Sequence, residues 1–195
     1  RSDLAREISL GKLPPFWIRN DENDHFEQMV WEKGIRKVNY WSGMYLIRNT
    51  PFKKPINKNN IRIEVVETTR ELREWLKIVN SEVLTGKSID FRLFENLINS
   101  REFHFFALWY GKKMISTALV FLNDIIAGIY FISTIRIYRG NGYGTLITSC
   151  LIDYYISKGI DKFVLHSTPL GFPLYKKLGF TENMSLDIYW MVGKK

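Results

Sequence analysis

A mixed α/β fold, an antiparallel meander followed by strand–helix–strand, is what this sequence predicts, and three observations carry that reading. Strand-like apolar runs at 102–110, 114–122 and 125–135 follow one another across Gly111-Lys112-Lys113 and Asn123-Asp124, the pattern of antiparallel hairpins. The third run enters a loop with alternating glycines, Gly140, Gly142 and Gly144, and a helix-period stripe starts directly behind it. After a stop at Lys158-Gly159 a further strand is expected at 162–168, so the sheet is mixed, with helices on both faces.

The remaining elements follow in chain order. A helix at 21–33 has N-cap candidates in Asp21, Asn23 and Asp24, a stripe of Phe26, Met29 and Val30, and Gly34 to close it. A strand at about 37–48 leads to a polar linker at 51–60 that contains Pro51 and Pro55. Alternation from Ile61 predicts a strand. Thr68-x-x-Glu71 is a capping box opening a helix with the stripe Leu72, Leu76, Val79 and Val83. Asp90 caps a second, short helix that turns Phe94, Leu97 and Ile98 inward. The helix behind the glycine loop is expected to bury Leu146, Ile147, Cys150, Leu151, Tyr154 and Tyr155, which makes Cys150 a packed, inert thiol. The last strand is expected at 185–192. Trp75, Phe91, Phe94, Trp109 and Tyr110 either line a pocket or form core, and core is the stronger reading.

Composition narrows the function. With 195 residues, 46% hydrophobic and 15% aromatic, the chain supports one substantial core, or a domain with an added subdomain, and is not disordered. The lone Cys150 excludes an internal disulfide framework, and three widely spaced histidines with one cysteine make no metal site. A reducing, cytoplasmic setting is expected. No basic-then-apolar leader opens the sequence, and its first residue, Arg1, reads as a trimmed start. The apolar run 114–135 is long enough for a membrane span, but Asn123-Asp124 interrupts it and Ser116, Thr117, Ser133 and Thr134 dilute it, so two strands are expected and no membrane partner. A net charge of +8 suits an anionic cofactor. No Lys/Arg run of five is present, which disfavours nucleic acid.

The glycine loop is where the chemistry concentrates. A helix N-terminus offers unpaired N–H groups and a positive dipole end, glycines let a phosphate approach the backbone, and Arg139 adds a fixed charge. A dinucleotide fingerprint fails because Thr145 stands at its last glycine, and no Gly-Lys-Ser/Thr follows. No Gly-x-Ser-x-Gly elbow supports a serine nucleophile. Arg139-x-x-Gly142-x-Gly144 resembles the acyl-CoA pyrophosphate loop of the GNAT superfamily of N-acyltransferases. Leu174-Tyr175-Lys176-Lys177-Leu178-Gly179-Phe180 matches the same family's second motif, Leu-Tyr-x-Lys-x-Gly-Phe. The resemblance covers about 61–192.

The resemblance implies a GNAT fold whose central sheet splays where the third strand and the strand from Lys162 part, leaving a slot for a pantetheine arm. It implies acetyl-CoA as the acyl donor, with the pyrophosphate held at Arg139, Gly140, Asn141, Gly142, Tyr143, Gly144 and Thr145. The backbone of Ser133, Thr134 and Ile135 would pair with the pantetheine amides and polarise the thioester, and Arg136 replaces a proline common in the family. Thr168 stands where many members carry asparagine and would hydrogen-bond the cofactor, with Gly171 and Phe172 completing that loop. Tyr175 is the implied general acid. A phenol near pKa ~10 protonates a thiolate near ~8.5 only if that thiolate is poorly solvated or the phenol is tuned downward.

A carboxylate base that some members carry is missing from 129–135, so a water relay is expected, with His166 the best side-chain candidate and His104 and Glu67 behind it. The helix pair near Thr68 and Asp90 would form one wall of the acceptor site.

The expected function is transfer of an acetyl group to a primary amine by direct attack in a ternary complex, the acceptor being left open between small molecules and peptides and the chain a monomer or homodimer. A noncatalytic acyl-CoA-sensing module of the same fold is the alternative, and a nucleic-acid-binding protein the third reading. Shifting the C-terminal end back by 145 positions lays Gly179-Phe180 on Gly34-Ile35 and residues 189–192 on 44–47. Residues 1–50 are therefore expected to be a partial, degenerate GNAT-like segment, followed by the 51–60 linker and an acetyltransferase domain at 61–195.

Overall fold

The computed structural model describes residues 16–19, 35–52, 60–83 and 88–191. The helix expected at 21–33, most of the 51–60 linker and Val192 lie outside them. Compactness divides the chain into two units: a larger one of Tyr45–Leu165 with Leu174–Thr181, and a smaller one of Arg1–Met44, His166–Pro173 and Glu182–Lys195.

In the larger unit the antiparallel meander is built from β3 (Ile61–Val65), β4 (Phe103–Tyr110), β5 (Lys113–Asn123) and β6 (Ile126–Thr134), and β7 (Lys162–Ser167) then pairs parallel to β6. The strand order is β7-β6-β5-β4-β3, a mixed sheet as expected. The hairpin turns use left-handed backbone at Gly111 (φ 59°) and Asp124 (φ 41°), a conformation that Gly adopts freely and Asp tolerates.

Helix α1 (Thr69–Glu82) opens on the expected capping box: Thr68 accepts from Glu71 N–H, and the Glu71 carboxylate accepts from Thr68 N–H. It buries Leu72, Trp75, Leu76, Ile78 and Val79. Val83 falls outside that stripe and is 44% exposed, because the helix ends at Glu82 and Val83 is only its C-cap. Asp90 caps α2 (Phe91–Glu95) by accepting from Arg92 N–H at 2.9 Å, and Phe94, Leu97 and Ile98 pack on the core as expected. β4 shows how its alternation divides the core. Phe105 meets Trp75 of α1 edge-on at 5.1 Å, while its neighbour Phe106 meets Tyr155 at 6.2 Å on the opposite face.

Tyr155 belongs to α3 (Tyr143–Ile156), which buries Leu146, Ile147, Thr148, Leu151, Ile152 and Tyr155. The expected stripe is corrected at two places: Cys150 is half-buried and Tyr154 is 41% exposed. Both sit on the flank of the helix, lining a groove with Ile61, Ile63 and Val65 of β3. Burial, helped by the charge of Asp153, pushes the Cys150 thiol above its ordinary pKa. The raised pKa favours the protonated thiol, although Cys150 is not packed in the core as its stripe position predicts.

In the smaller unit β1 (Phe16–Arg19) pairs antiparallel with β8 (Thr181–Met191) from Phe16↔Trp190 to Arg19↔Asp187. The adjoining β2 (Ile35–Ile47) places Lys37 Nζ 2.7 Å from Asp187. β8 starts four residues before the expected 185, because its leading residues are all exposed and show no alternation. β1 and β2 start at 16 and 35, and β7 and β8 at 162 and 181, an equal spacing. Among the described residues no helix is long and apolar enough to cross a membrane.

Candidate functional site

The site region begins where the β5–β6 ladder breaks register. Leu119 faces Tyr130 and Thr117 faces Ser133, so Ala118 alone stands opposite both Phe131 and Ile132. This is a β-bulge. Phe131 takes left-handed backbone, φ 50°, which costs an L-residue about 1–2 kcal/mol. Hydroxyls hold it there: Thr117 Oγ1 donates to the Phe131 carbonyl at 3.0 Å and Ser116 Oγ to the Ser133 carbonyl at 2.5 Å. Ser116 and Thr134 hydroxyls also meet at 2.9 Å. The parallel ladder with β7 ends at Ile129↔Leu165, before the bulge.

Beyond the bulge, Ile135 N–H donates to the Ile115 carbonyl at 3.0 Å. Peptide directions alternate along a strand, so Ser133 also faces β5 while the peptides of Ile132 and Thr134 point away from it. Of the three residues expected to pair with a pantetheine chain, Thr134 is the one whose N–H is directed away from β5. Its carbonyl accepts from Arg139 Nε at 2.9 Å. Ile132 was not foreseen, because a bulge cannot be read from an apolar run.

A 3₁₀ turn, Arg136–Tyr138, carries the chain into the glycine loop. Gly140 (φ 79°) and Gly142 (φ 78°) are left-handed, and a Cβ at either would meet nothing within 4 Å. Gly142 is the N-cap of α3, no side chain caps that terminus, and no acid lies in its first turn. Asn141 Nδ2 donates to the carbonyls of Tyr138 and Arg139, both at 3.1 Å, which closes the loop on itself. Gly144 keeps α3 close to the next motif, since a Cβ there would come within 2.8 Å of Leu174 Cδ1. Tyr143 and Thr145 are half-buried in the helix's first turn. An open, uncapped helix terminus with two glycines before it fits an anionic group such as a pyrophosphate.

Arg139 is placed differently from a free anchor. Its Nη2 lies 2.6 Å from the Glu82 carboxylate at the end of α1. With Nε on Thr134, the guanidinium braces the loop against both α1 and β6. The loop is steadied further by Tyr138, whose ring lies 6.3 Å from Tyr110 and 5.4 Å below Lys113 Nζ. Arg136 is exposed.

The second motif forms α4 (Phe172–Lys177) and its stop. Gly179, at φ 94°, lets Phe180 N–H reach back to the Tyr175 carbonyl at 3.0 Å and Gly179 N–H to Lys176 at 3.0 Å. This helix-ending turn explains the glycine of the motif. Tyr175 is 8% exposed and meets Phe180 edge-on at 5.8 Å. Its hydroxyl has no hydrogen-bond partner among the described residues. Burial pushes the Tyr175 phenol well above its ordinary pKa. Of the two conditions set on a phenol acid, downward tuning is thus not met, and the poorly solvated thiolate is the one left.

The other expected residues lie in the smaller unit. His166 stacks on Trp41 with centroids 6.4 Å apart, and burial lowers its pKa, which favours the neutral ring. The Thr168 carbonyl accepts from Gly171 and Phe172 N–H at 3.0 Å each, and its hydroxyl accepts from Gly171 N–H at 3.3 Å. That hydroxyl therefore supports the turn into α4 and keeps its own proton to donate. Phe172 is half-buried. Back in the larger unit, His104 Nδ1 bonds the Tyr155 hydroxyl, and Glu67 is exposed.

The acetyltransferase (GNAT) family matches residues 69–180. No curated protein matches. A GCN5-related N-acetyltransferase from Kribbella flavida superposes with TM-score 0.66 at 14% identity, over 88% of this chain and 65% of its own. One from Sphaerobacter thermophilus gives 0.71 at 13%, over 94% and 62%. A predicted acetyltransferase with acetyl-CoA from Clostridium acetobutylicum gives 0.56 at 20%, over 63% and 91%. Identities this low establish a shared fold, and the chain spans just under two thirds of the first two proteins. With the family match extending over more than half of its residues, this chain belongs to the acetyltransferase (GNAT) family.

Proposed function

We propose that this chain is an acetyl-CoA-dependent N-acetyltransferase that acts on a primary amine by direct attack in a ternary complex. The observation that carries the reading is the uncapped α3 terminus behind the open Gly140 and Gly142, at the end of a strand whose Thr134 N–H faces away from β5. The thioester donor supplies an electrophilic carbonyl and a thiolate leaving group.

The residues act on that chemistry by position. The first turn of α3 binds the pyrophosphate through main-chain N–H groups, and Arg139, already paired with Glu82, keeps the loop in its receiving shape. N–H groups of Ile132 and Thr134 pair with the donor's arm and polarise its carbonyl, the preorganised stabilisation that typically contributes about 10²–10³ in rate. Tyr175 stays protonated across the neutral range and gives its proton to the departing sulfur as the new C–N bond forms and C–S breaks. Solvent then reprotonates it. No carboxylate lies on Ile126–Thr134, so the amine loses its proton to water.

Calorimetric titration with acetyl-CoA, followed by release of free CoA thiol in the presence of amines, tests the proposal. Micromolar binding with amine-dependent release is expected. Absence of both at millimolar acetyl-CoA refutes it.

A further inference from the structure

From the cavity beside the β6 bulge we infer that the acceptor amine carries an aryl or branched-alkyl group, an inference that rests on the acetyltransferase reading. The cavity measures ≈350 Å³ and is walled by Phe94, Leu97, Phe103, Leu119, Phe121 and Phe131, with the Tyr130 ring completing it. Among the described residues that line it none carries a charge, and the Tyr130 phenol is the only polar side-chain atom. Its walls are fixed by ring packing, Phe103 to Phe121 at 4.9 Å and Phe94 to Phe131 at 6.0 Å, so the space is preformed.

Its location ties it to the reaction. Phe131 immediately precedes Ile132, the first peptide directed away from β5, and Thr134 lies three residues on, about 10 Å along the strand at ~3.3 Å per residue. An amine attacking at the Ile132 peptide reaches the cavity wall at Phe131 through a spacer of one to three carbons, whereas the ~10 Å to Thr134 is beyond such a spacer. A second ammonium, as in a polyamine or aminoglycoside, would lie against apolar rings with no carboxylate among the described lining residues. Each methylene an acceptor buries in such a pocket is worth roughly 10–200-fold in kcat/KM.

The experiment compares phenethylamine, hexylamine, putrescine, spermidine and kanamycin as acceptors by CoA release, with acetyl-CoA affinity measured alongside by calorimetry. Phenethylamine is expected to exceed putrescine at least tenfold in kcat/KM. Leu97→Glu, which brings a carboxylate to the cavity wall, is expected to remove that preference with acetyl-CoA affinity unchanged. If Leu97→Glu is unfolded, the milder Phe103→Leu enlarges the cavity and shifts preference toward a naphthylethylamine. Acetyl-CoA binding with turnover of polyamines or kanamycin alone, or of none of the panel, overturns the inference and leaves donor binding standing. Absence of acetyl-CoA binding overturns the inference together with the reading beneath it.

Discussion

Gly142 allows the proposed anion-binding role of the loop to be separated from its shape. It holds φ 78° at the N-cap of α3 with open space where a Cβ would stand. Asn tolerates left-handed backbone, so Gly142→Asn costs about 1 kcal/mol or less of stability. Gly142→Asp has the same shape and adds one negative charge. At a helix N-terminus that charge stabilises by about 0.3–1 kcal/mol, so the Asp variant folds at least as well as the Asn variant.

Against a bound pyrophosphate the sign reverses. Two unit charges about 5 Å apart repel by about 0.8 kcal/mol in a water-like dielectric and about 3.3 kcal/mol at an effective dielectric of about 20. That corresponds to about fourfold to about 250-fold in Kd, and the multiple charge of a pyrophosphate favours the upper half. The assay is calorimetry of acetyl-CoA against both variants at about 0.1 M and about 1 M salt, where screening shortens from ~10 Å to ~3 Å and narrows the gap. Equal affinities for the Asn and Asp variants would refute the assignment of this terminus to the donor.

Three further outcomes are expected. Tyr175→Phe removes an unbonded hydroxyl, so stability changes by no more than about 0.5 kcal/mol while kcat falls about 10²-fold at unchanged acetyl-CoA affinity; an unchanged kcat removes Tyr175 as the acid. Arg139→Ala leaves the largely buried Glu82 carboxylate and the Thr134 carbonyl without their partner, lowering stability in urea by about 1–3 kcal/mol. Acetyl-CoA affinity falls with it and with little salt dependence, because the guanidinium is already neutralised; unchanged stability would show that the brace is dispensable. The pKa values of Tyr155 and Tyr175 are both raised by burial. Their contribution to stability is therefore complete below the ordinary phenol pKa of ~10 and is lost as pH rises through the folded values. The urea midpoint should be flat to about pH 9 and decline above about pH 10, less steeply in Tyr175→Phe.

The parts of this architecture that were legible in the sequence are those written over a few residues. Thr68 and Glu71 are three positions apart and cap each other. Gly111 marks the hairpin between β4 and β5, and the backbone there is left-handed. The brace was not legible, because Arg139 and Glu82 are 57 residues apart and nothing local marks either as the other's partner. Helical spacing places Cys150 and Tyr154 on the buried stripe, but α3 is apolar on more than one face, and periodicity cannot then fix which face meets the sheet. Ser116, Thr117, Ser133 and Thr134 were visible only as an irregularity in an apolar run. Their use as hydroxyls that hold a bulge required the pairing of β5 with β6.

That bulge links the two proposed substrate sites to one strand. A regular β6 would send alternate side chains to opposite faces without interruption, and its peptides would continue to pair on both sides. With Phe131 and Ile132 together facing one residue, the strand keeps its bonds to β5 through Ser133 and Ile135 while the parallel ladder stops at Ile129. The strain at Phe131 is offset by the Thr117 bond and by its ring packing against Trp75 at 5.9 Å and Phe94 at 6.0 Å. The residue that pays the conformational cost thus forms the wall of the apolar cavity, and the peptides just after it are the ones proposed to hold the donor. Arg139, bonded to Thr134 and to the end of α1, then fixes the glycine loop relative to the same strand. The glycine loop, the peptides proposed to hold the donor and the cavity wall are therefore positioned by one continuous segment of backbone, 131–142, so a change at its bulge is expected to alter the use of both proposed substrates.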